Sequence, residues 1–285
     1  MSGIRFTKMH GCGNDYIYIN GAGVVPEDKP LFARTYSDRH TGIGADGVIY
    51  INPSDEADFE MEMYNADGSE GKMCGNGIRC VGKYIHDKGL SEKKQLSIMT
   101  KSGIRELTLH EEDGIVDSVT VDMGVPILSP EQIPVKISSE RVVDHPYTVS
   151  GKEYRITCIS MGNPHCVVFT EDVWGMDLKE IGPCFENDPI FPEQVNTEFV
   201  RVKDRSFVEM RVWERGSGET FACGTGASAV VAAAVLNGKT DRKVRVKLLG
   251  GELLIEYRQD DGRIYMTGEA VTVFEGEIEE ICTLR

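Results

Sequence analysis

Apolar positions along this chain recur mostly at strand spacing. Phe59-Glu60-Met61-Glu62-Met63-Tyr64 alternates strictly between apolar and acidic side chains, the period of a half-buried strand. Asp15-Tyr16-Ile17-Tyr18-Ile19 and Gly47-Val48-Ile49-Tyr50-Ile51 are short, aromatic or β-branched runs and also predict strands. Gln95 to Thr100, Ile104 to His110 and Ile115 to Met123 predict a three-stranded meander. Helix is expected over Asp28 to Asp38 and after two cysteines: Ile78 to Ile85 behind Cys74, and Ala227 to Leu236 behind Cys223, stopped by Asn237-Gly238. The run Ala229 to Leu236 is apolar throughout, the mark of a helix buried on all sides.

The second half repeats the first. Cys74 and Cys223 stand 149 positions apart, and that offset carries Gly13-Asn14 onto Gly162-Asn163, each followed by an apolar strand. It carries Asp28 onto Asp177, the alternating strand onto Val208 to Trp213, Tyr64-Asn65 onto Trp213-Glu214, and Gln95 to Ile98 onto Val244 to Lys247. A period this long describes duplicated domains rather than a solenoid. The expected fold is therefore α/β (α+β): two pseudo-symmetric domains, each a curved, mostly antiparallel sheet around a central helix. Gly124 to Pro134, with three prolines, makes the crossover. The expected domains are residues 1–122 and residues 123–273.

Length and composition then exclude several classes. At 285 residues, 40% hydrophobic and 27% charged, the chain has the profile of a soluble globular protein. Its longest apolar run is far short of a membrane span, and residues 1–8 lack the apolar core of a signal peptide. A net charge of −15 without a basic cluster argues against nucleic-acid or anionic-membrane partners. The eight cysteines (Cys12, Cys74, Cys80, Cys158, Cys166, Cys184, Cys223, Cys282) include no Cys-X-X-Cys pair, so no metal site is expected. Without an export signal, reduced thiols in a cytoplasmic protein are the expectation, most of them buried as small hydrophobes.

Cys74 and Cys223 differ from the rest. Each opens a Cys-Gly-X-Gly turn at a helix N-terminus, where the positive dipole end and unpaired amides lower a thiol pKa. Two such thiols facing one carbon from opposite sides could remove a proton from one face and deliver one to the other, as stereochemical inversion requires. The amides of Gly75-Asn76 and Gly224-Thr225 would hold a carboxylate where negative charge develops. The cleft between the two domains is the expected place for such a site.

These motifs resemble one family over essentially the whole chain, the diaminopimelate epimerases. The matching stretches include Phe6 to Tyr16, Gly42 to Gly47, Asn65 to Ser69, Cys74 to Cys80, Met161 to His165, Val195-Asn196, Trp213 to Gly218 and Ala222 to Gly226. The resemblance implies conversion of L,L-2,6-diaminopimelate to the meso form, without cofactor or metal, in lysine and peptidoglycan-precursor synthesis. It implies Cys74 and Cys223 as the acid–base pair. Asn65, Gly75, Asn76, Gly224 and Thr225 would hold the reacting centre. Asn14, Asn163, Asn196 and Arg215 would grip the distal end, with Glu214 and His165 lining the site. A bidentate guanidinium suits a carboxylate, and asparagine reads both an amine and a carboxylate. The resemblance also implies a homodimer, and a C-terminal tail, residues 274–285, that returns to the first domain.

Two positions depart from the family pattern. Gly47 stands where many members carry a substrate-binding glutamine, and Phe274 where some carry a tyrosine that supports the dimer. The nearest alternative is a proline or hydroxyproline racemase-type enzyme. Those enzymes typically place histidine after the first Cys-Gly, where this chain has Asn76, and need no distal clamp such as Arg215. A second alternative is a redox protein in which Cys74 and Cys223 form a regulatory disulfide.

Overall fold

In a computed structural model, which describes residues 3–279, the chain forms two compact units: Met1–Val121 with Gly268–Arg285, and Asp122–Thr267. The first unit resumes at Gly268 rather than at 274, because Val271 and Thr272 already pair with His10 and Met9. Cys282 and the last residues of the expected first domain lie outside the described residues.

In the first unit Ile4–Gly11 pairs antiparallel with both Val271–Ile278 and Asn14–Asn20. Asn14–Asn20 runs parallel to Gly47–Asn52, across helix α1 (Lys29–Ser37). Gly47–Asn52 pairs antiparallel with Phe59–Asn65, which takes the two-residue strand Glu70–Gly71 on its far end. Helix α2 (Gly75–Asp87) then returns the chain to a parallel pairing of Phe59–Asn65 with Gln95–Met99. Arg105–Glu112 and Ile115–Gly124 complete the meander expected from the sequence.

The second unit repeats this order. Lys152–Ser160 pairs antiparallel with Pro164–Phe169, and α3 (Leu178–Glu186) crosses to the parallel strand Asn196–Asp204. Phe207–Glu214 and Gly218–Thr220 follow antiparallel. Helix α4 (Gly224–Leu236) crosses to the parallel strand Lys243–Lys247, and Glu252–Tyr257 and Ile264–Glu269 close the unit. The registers agree residue for residue at an offset of 149: Tyr16 opposes Gly47 as His165 opposes Asn196, and Val48 opposes Tyr64 as Thr197 opposes Trp213. Beyond the long helices the offset becomes 148, since Phe59 opposes Ile98 but Val208 opposes Val246. The loop leaving α4 is one residue shorter than the loop leaving α2. Gln95 therefore corresponds to Lys243, not to Val244 as the constant offset implied.

Side-chain alternation explains why the central strands are so apolar. Ile17, Ile19, Val48 and Tyr50 point to one face and form a core with Phe32 of α1. Their neighbours point to the other face, where Tyr18 Oη donates to Gly77 O of α2 at 3.2 Å. In the second unit Cys166, Val168 and Phe199 join Leu178 and Phe185 of α3 in the same way. The long helices are the covered ones: all of Gly75–Ile85, and all of Gly224–Ala234 except Thr225, are buried. Helix α4 achieves this with alanine and valine. Helix α2 also buries Arg79 and Lys83, whose charges are met by Gly75 O, Glu269 O, Val116 O and Asp87. Asp28 and Asp177, which the 149-residue offset brings together, both cap helices: Asp28 accepts from Leu31 N, and Asp177 from Lys179 N and Glu180 N. No described helix is long and apolar enough to cross a membrane.

Candidate active site

Cys74 is the N-cap of α2 and Cys223 the N-cap of α4, both in extended backbone conformation. Close packing beneath each cap requires glycine. A Cβ at Gly77 would lie 2.7 Å from Ile49, and one at Gly226 would lie 2.6 Å from Glu198 Oε1.

Around Cys74, the sulfur accepts a hydrogen bond from Gly77 N at 3.3 Å and donates its own to Asn14 Oδ1 at 3.1 Å. The Asn14 amide is fixed from behind, because its Nδ2 donates to Asp46 at 2.7 Å and Asp46 is paired with Arg39. Arg39 and Lys8 also hold Asp15, keeping its carboxyl below the usual range despite the burial that opposes them. Asn76 turns its side chain inward, its Oδ1 accepting from Arg79 at 3.0 Å, so its backbone is the part suited to a ligand. Asn65 ends its strand with Nδ2 on Ser69 Oγ. A side chain at Gly47 has no room: its Cβ would stand 2.1 Å from the Tyr64 carbonyl oxygen.

Around Cys223 the arrangement differs. The sulfur makes no side-chain cap to the helix amides and instead lies 3.4 Å from Thr225 Oγ1. Asn163 Nδ2 donates to Thr225 Oγ1 at 3.3 Å, and Asn163 Oδ1 meets His165 Nε2 at 3.0 Å. His165 Nδ1 lies 2.6 Å from Glu198 Oε1, and both side chains are fully buried. Glu214 accepts from Thr220 Oγ1 at 2.5 Å. Asn196 Oδ1 accepts from Arg215 N, and Arg215 Nη1 donates to Glu193 O.

This overturns one expectation about the second thiol. A helix N-terminus should lower its pKa, yet burial pushes Cys223 well above the usual cysteine range. The carboxyls of Glu214 and Glu198 add to the rise, and the Thr225 hydrogen bond opposes it only in part. Cys80 is likewise pushed up to about 11, chiefly by burial, and Cys166 well above its usual value. All seven described cysteines are free thiols.

The expected residues divide between the two halves. Asn14 bonds Cys74, Gly75 and Asn76 follow it in the first turn of α2, and Asn65 bonds Ser69 at the end of its strand. Gly224, Thr225, Asn163, His165 and Glu214 are linked to Cys223 directly or through one another, whereas Asn196 and Arg215 bond each other, Pro164 O and Glu193 O. Asn14 lies within hydrogen-bonding distance of Cys74, the cap of α2, and Asn163 within that of Thr225 in the first turn of α4. Sequence reasoning passed over Asp46 and Glu198. Glu198 had a visible signal: a carboxyl in the otherwise apolar strand Thr197-Glu198-Phe199-Val200, at the position of Ile49 in the first half. Among the described residues no group of three or more His, Cys, Asp or Glu side chains is disposed to hold a metal ion.

The family model for diaminopimelate epimerase matches residues 6–129 and 157–273, which takes in both cysteine-capped helices. The chain belongs to the diaminopimelate epimerase family. Its relatives include the diaminopimelate epimerase of Acetivibrio thermocellus, 53% identical over 276 residues and covering 97% of this chain and 99% of that one. The diaminopimelate epimerase of Methanococcus maripaludis is also 53% identical, over 97% of this chain and all of the other. Among solved structures, a hydroxyproline epimerase from Agrobacterium vitis superposes with a TM-score of 0.68 at 16% identity, covering 98% of this chain and 91% of that one. A phenazine biosynthesis protein of the PhzF family from Bacillus anthracis superposes with a TM-score of 0.65 at 18% identity, over 98% and 99%. At such identities these likenesses concern the fold. They place this epimerase-family chain within a wider set of proteins built on the same duplicated plan.

Proposed function

We propose that this protein epimerises L,L-2,6-diaminopimelate to the meso form, with Cys74 and Cys223 as the acid–base pair acting on one α-carbon. The observation that carries the reading is that the two thiols cap equivalent helices in two halves of one duplicated chain. Inversion needs a base on one face of the carbon and an acid on the other. One sulfur, as a thiolate, takes the α-proton while the other, as a thiol, delivers its proton to the opposite face, and the two roles exchange in the return direction.

The reacting carboxylate is held by first-turn amides at Gly75, Asn76, Gly224 and Thr225, at the positive ends of the two helices. Removing a single donor of this kind raises a barrier by roughly 2.7–4 kcal/mol. Arg215 and Asn196, linked to each other, take the distal amino acid end, and Asn65, Glu214 and His165 line the site. Asn14 and Asn163 join Arg215 and Asn196 in gripping the distal end. In the same reading the enzyme works in the cytoplasm, within lysine and peptidoglycan-precursor synthesis. It is a homodimer with Phe274, half-exposed beside Phe6, at the contact. Phe274→Asp should then shift the sedimentation coefficient to that of a monomer.

The deciding experiment follows proton exchange by NMR in deuterated water, on reduced protein with L,L-diaminopimelate. Deuterium should enter one α-carbon with formation of the meso isomer, and both should vanish in Cys74→Ala and in Cys223→Ala. Exchange with proline or hydroxyproline instead would move the assignment to the racemase alternative. Absence of exchange under full reduction would end the reading.

A further inference from the structure

The two halves differ beneath their thiols at the position of Ile49 and Glu198. Ile49 and Glu198 occupy equivalent sites on equivalent strands, and each lies against the glycine of the first helical turn. The first half fills that slot with a hydrocarbon. The second fills it with a carboxyl that is fully buried, one oxygen of which (Oε2) has no hydrogen-bond partner. An ionisable group is costly there unless something is gained from it. Its other oxygen leads through a continuous chain to the sulfur: Glu198 Oε1 to His165 Nδ1 at 2.6 Å, His165 Nε2 to Asn163 Oδ1 at 3.0 Å, Asn163 Nδ2 to Thr225 Oγ1 at 3.3 Å, and Thr225 Oγ1 to Cys223 Sγ at 3.4 Å.

We propose that Glu198 is a positioning residue for Cys223: paired with His165 it keeps a proton on Nε2, and so orients Asn163 and aims the Thr225 hydroxyl at the sulfur. The proposal rests on the reading of Cys223 as an acid–base thiol. The proton positions follow from the partners. An amide oxygen cannot donate, so Nε2 must. Asn163 then presents its NH2 to Thr225, which accepts with a lone pair and has its own proton left for Cys223. Glu198 supports this whether as a carboxylate accepting from an imidazolium or as an acid donating to Nδ1. Burial, which raises its pKa, favours keeping that shared proton. The first half works the other way round: Asp46 orients Asn14 so that an acceptor oxygen faces Cys74. One sulfur gives a hydrogen bond to its network and the other receives one.

The test uses the full chain, labelled with 15N-histidine, in wild type, Glu198→Gln and Glu198→Ile. The glutamine amide can donate to Nδ1, so Nε2 should stay protonated at neutral pH in wild type and E198Q, with kcat within about threefold. E198I copies the first half and leaves His165 Nδ1 without a partner, so the ring loses its anchor; the Nε2 proton signal should shift and broaden by faster solvent exchange, and kcat fall about 100-fold with KM nearly constant, the scale of a lost proton-transfer arrangement. A bare Nε2 in wild type overturns the proposal, and so does a folded E198I that keeps the signal and the rate. Loss of rate in E198Q with the signal intact overturns it too. The NMR readout does not depend on turnover. Wild type with a protonated Nε2 but no epimerisation would therefore count against the function, not against the proton assignment.

Discussion

At the scale of single residues, burial rather than the helix dipole governs Cys223, and this has a pH signature. An ordinary thiol ionises near pH ~8.5, whereas this one is held protonated to higher pH by its apolar surroundings and by the carboxyls of Glu214 and Glu198. Alkylation of Cys223 by iodoacetamide, followed peptide by peptide by mass spectrometry, should keep climbing about tenfold per pH unit through and beyond pH ~8.5. A plateau below that pH would refute the shift. Linkage gives a second sign. A raised native pKa means the folded state binds the proton more tightly, so its stabilising contribution is complete below the unfolded pKa. It is lost as pH rises from there through the native value, and Cys223→Ala should flatten the alkaline part of the denaturation profile. Gly47 is governed by space. Gly47→Gln would drive a Cβ against the Tyr64 carbonyl, a backbone atom that cannot swing aside. It should cost about 1–3 kcal/mol or more by urea denaturation, and the glutamine of other members would not regain a role here without backbone movement.

At the scale of elements, helix starts are set by side chains that can be named in advance. Asp177 satisfies two amides of α3, and Asp177→Ala should lower stability by about 1 kcal/mol, within the 0.5–2 range of lost caps. A melting temperature unchanged by D177A would show that packing of Phe185 alone holds that helix. Those caps, the alternating strand, the meander and the duplication were legible because each rests on local chemistry or on comparing the chain with itself. Less legible were features that depend on distant partners. Nothing near Arg79 or Lys83 in the sequence says that they are buried, because the carbonyls that receive them include Val116 and Glu269. The Asn14 amide takes its direction from Asp46, thirty-two positions away. The net effect on Cys223 could not be read either, since helix placement and burial act in opposite directions and only the structure shows how deeply the sulfur lies. The single-residue difference after the long helices escaped because a loop leaves no hydrophobic signature.

At the scale of the whole molecule, duplication within one chain means that a single polypeptide carries both thiols, one per half. A homodimer would then hold two complete pairs rather than two shared ones, and mixing experiments distinguish these arrangements. Cys74→Ala and Cys223→Ala, each inactive, would be unfolded together, refolded so that subunits exchange, and assayed for solvent deuterium incorporation. If every site draws both thiols from one chain, no mixed dimer contains an intact pair, and the mixture should be as inactive as its components. If a site took one thiol from each subunit, random pairing would place an intact pair in half of the dimers, and activity would return to about a quarter of wild type. Recovery on that scale would show that duplication had distributed the acid and the base between chains. Its absence, with subunit exchange confirmed by differential labelling, would identify the single duplicated chain as the catalytic unit and leave dimerisation a supporting role.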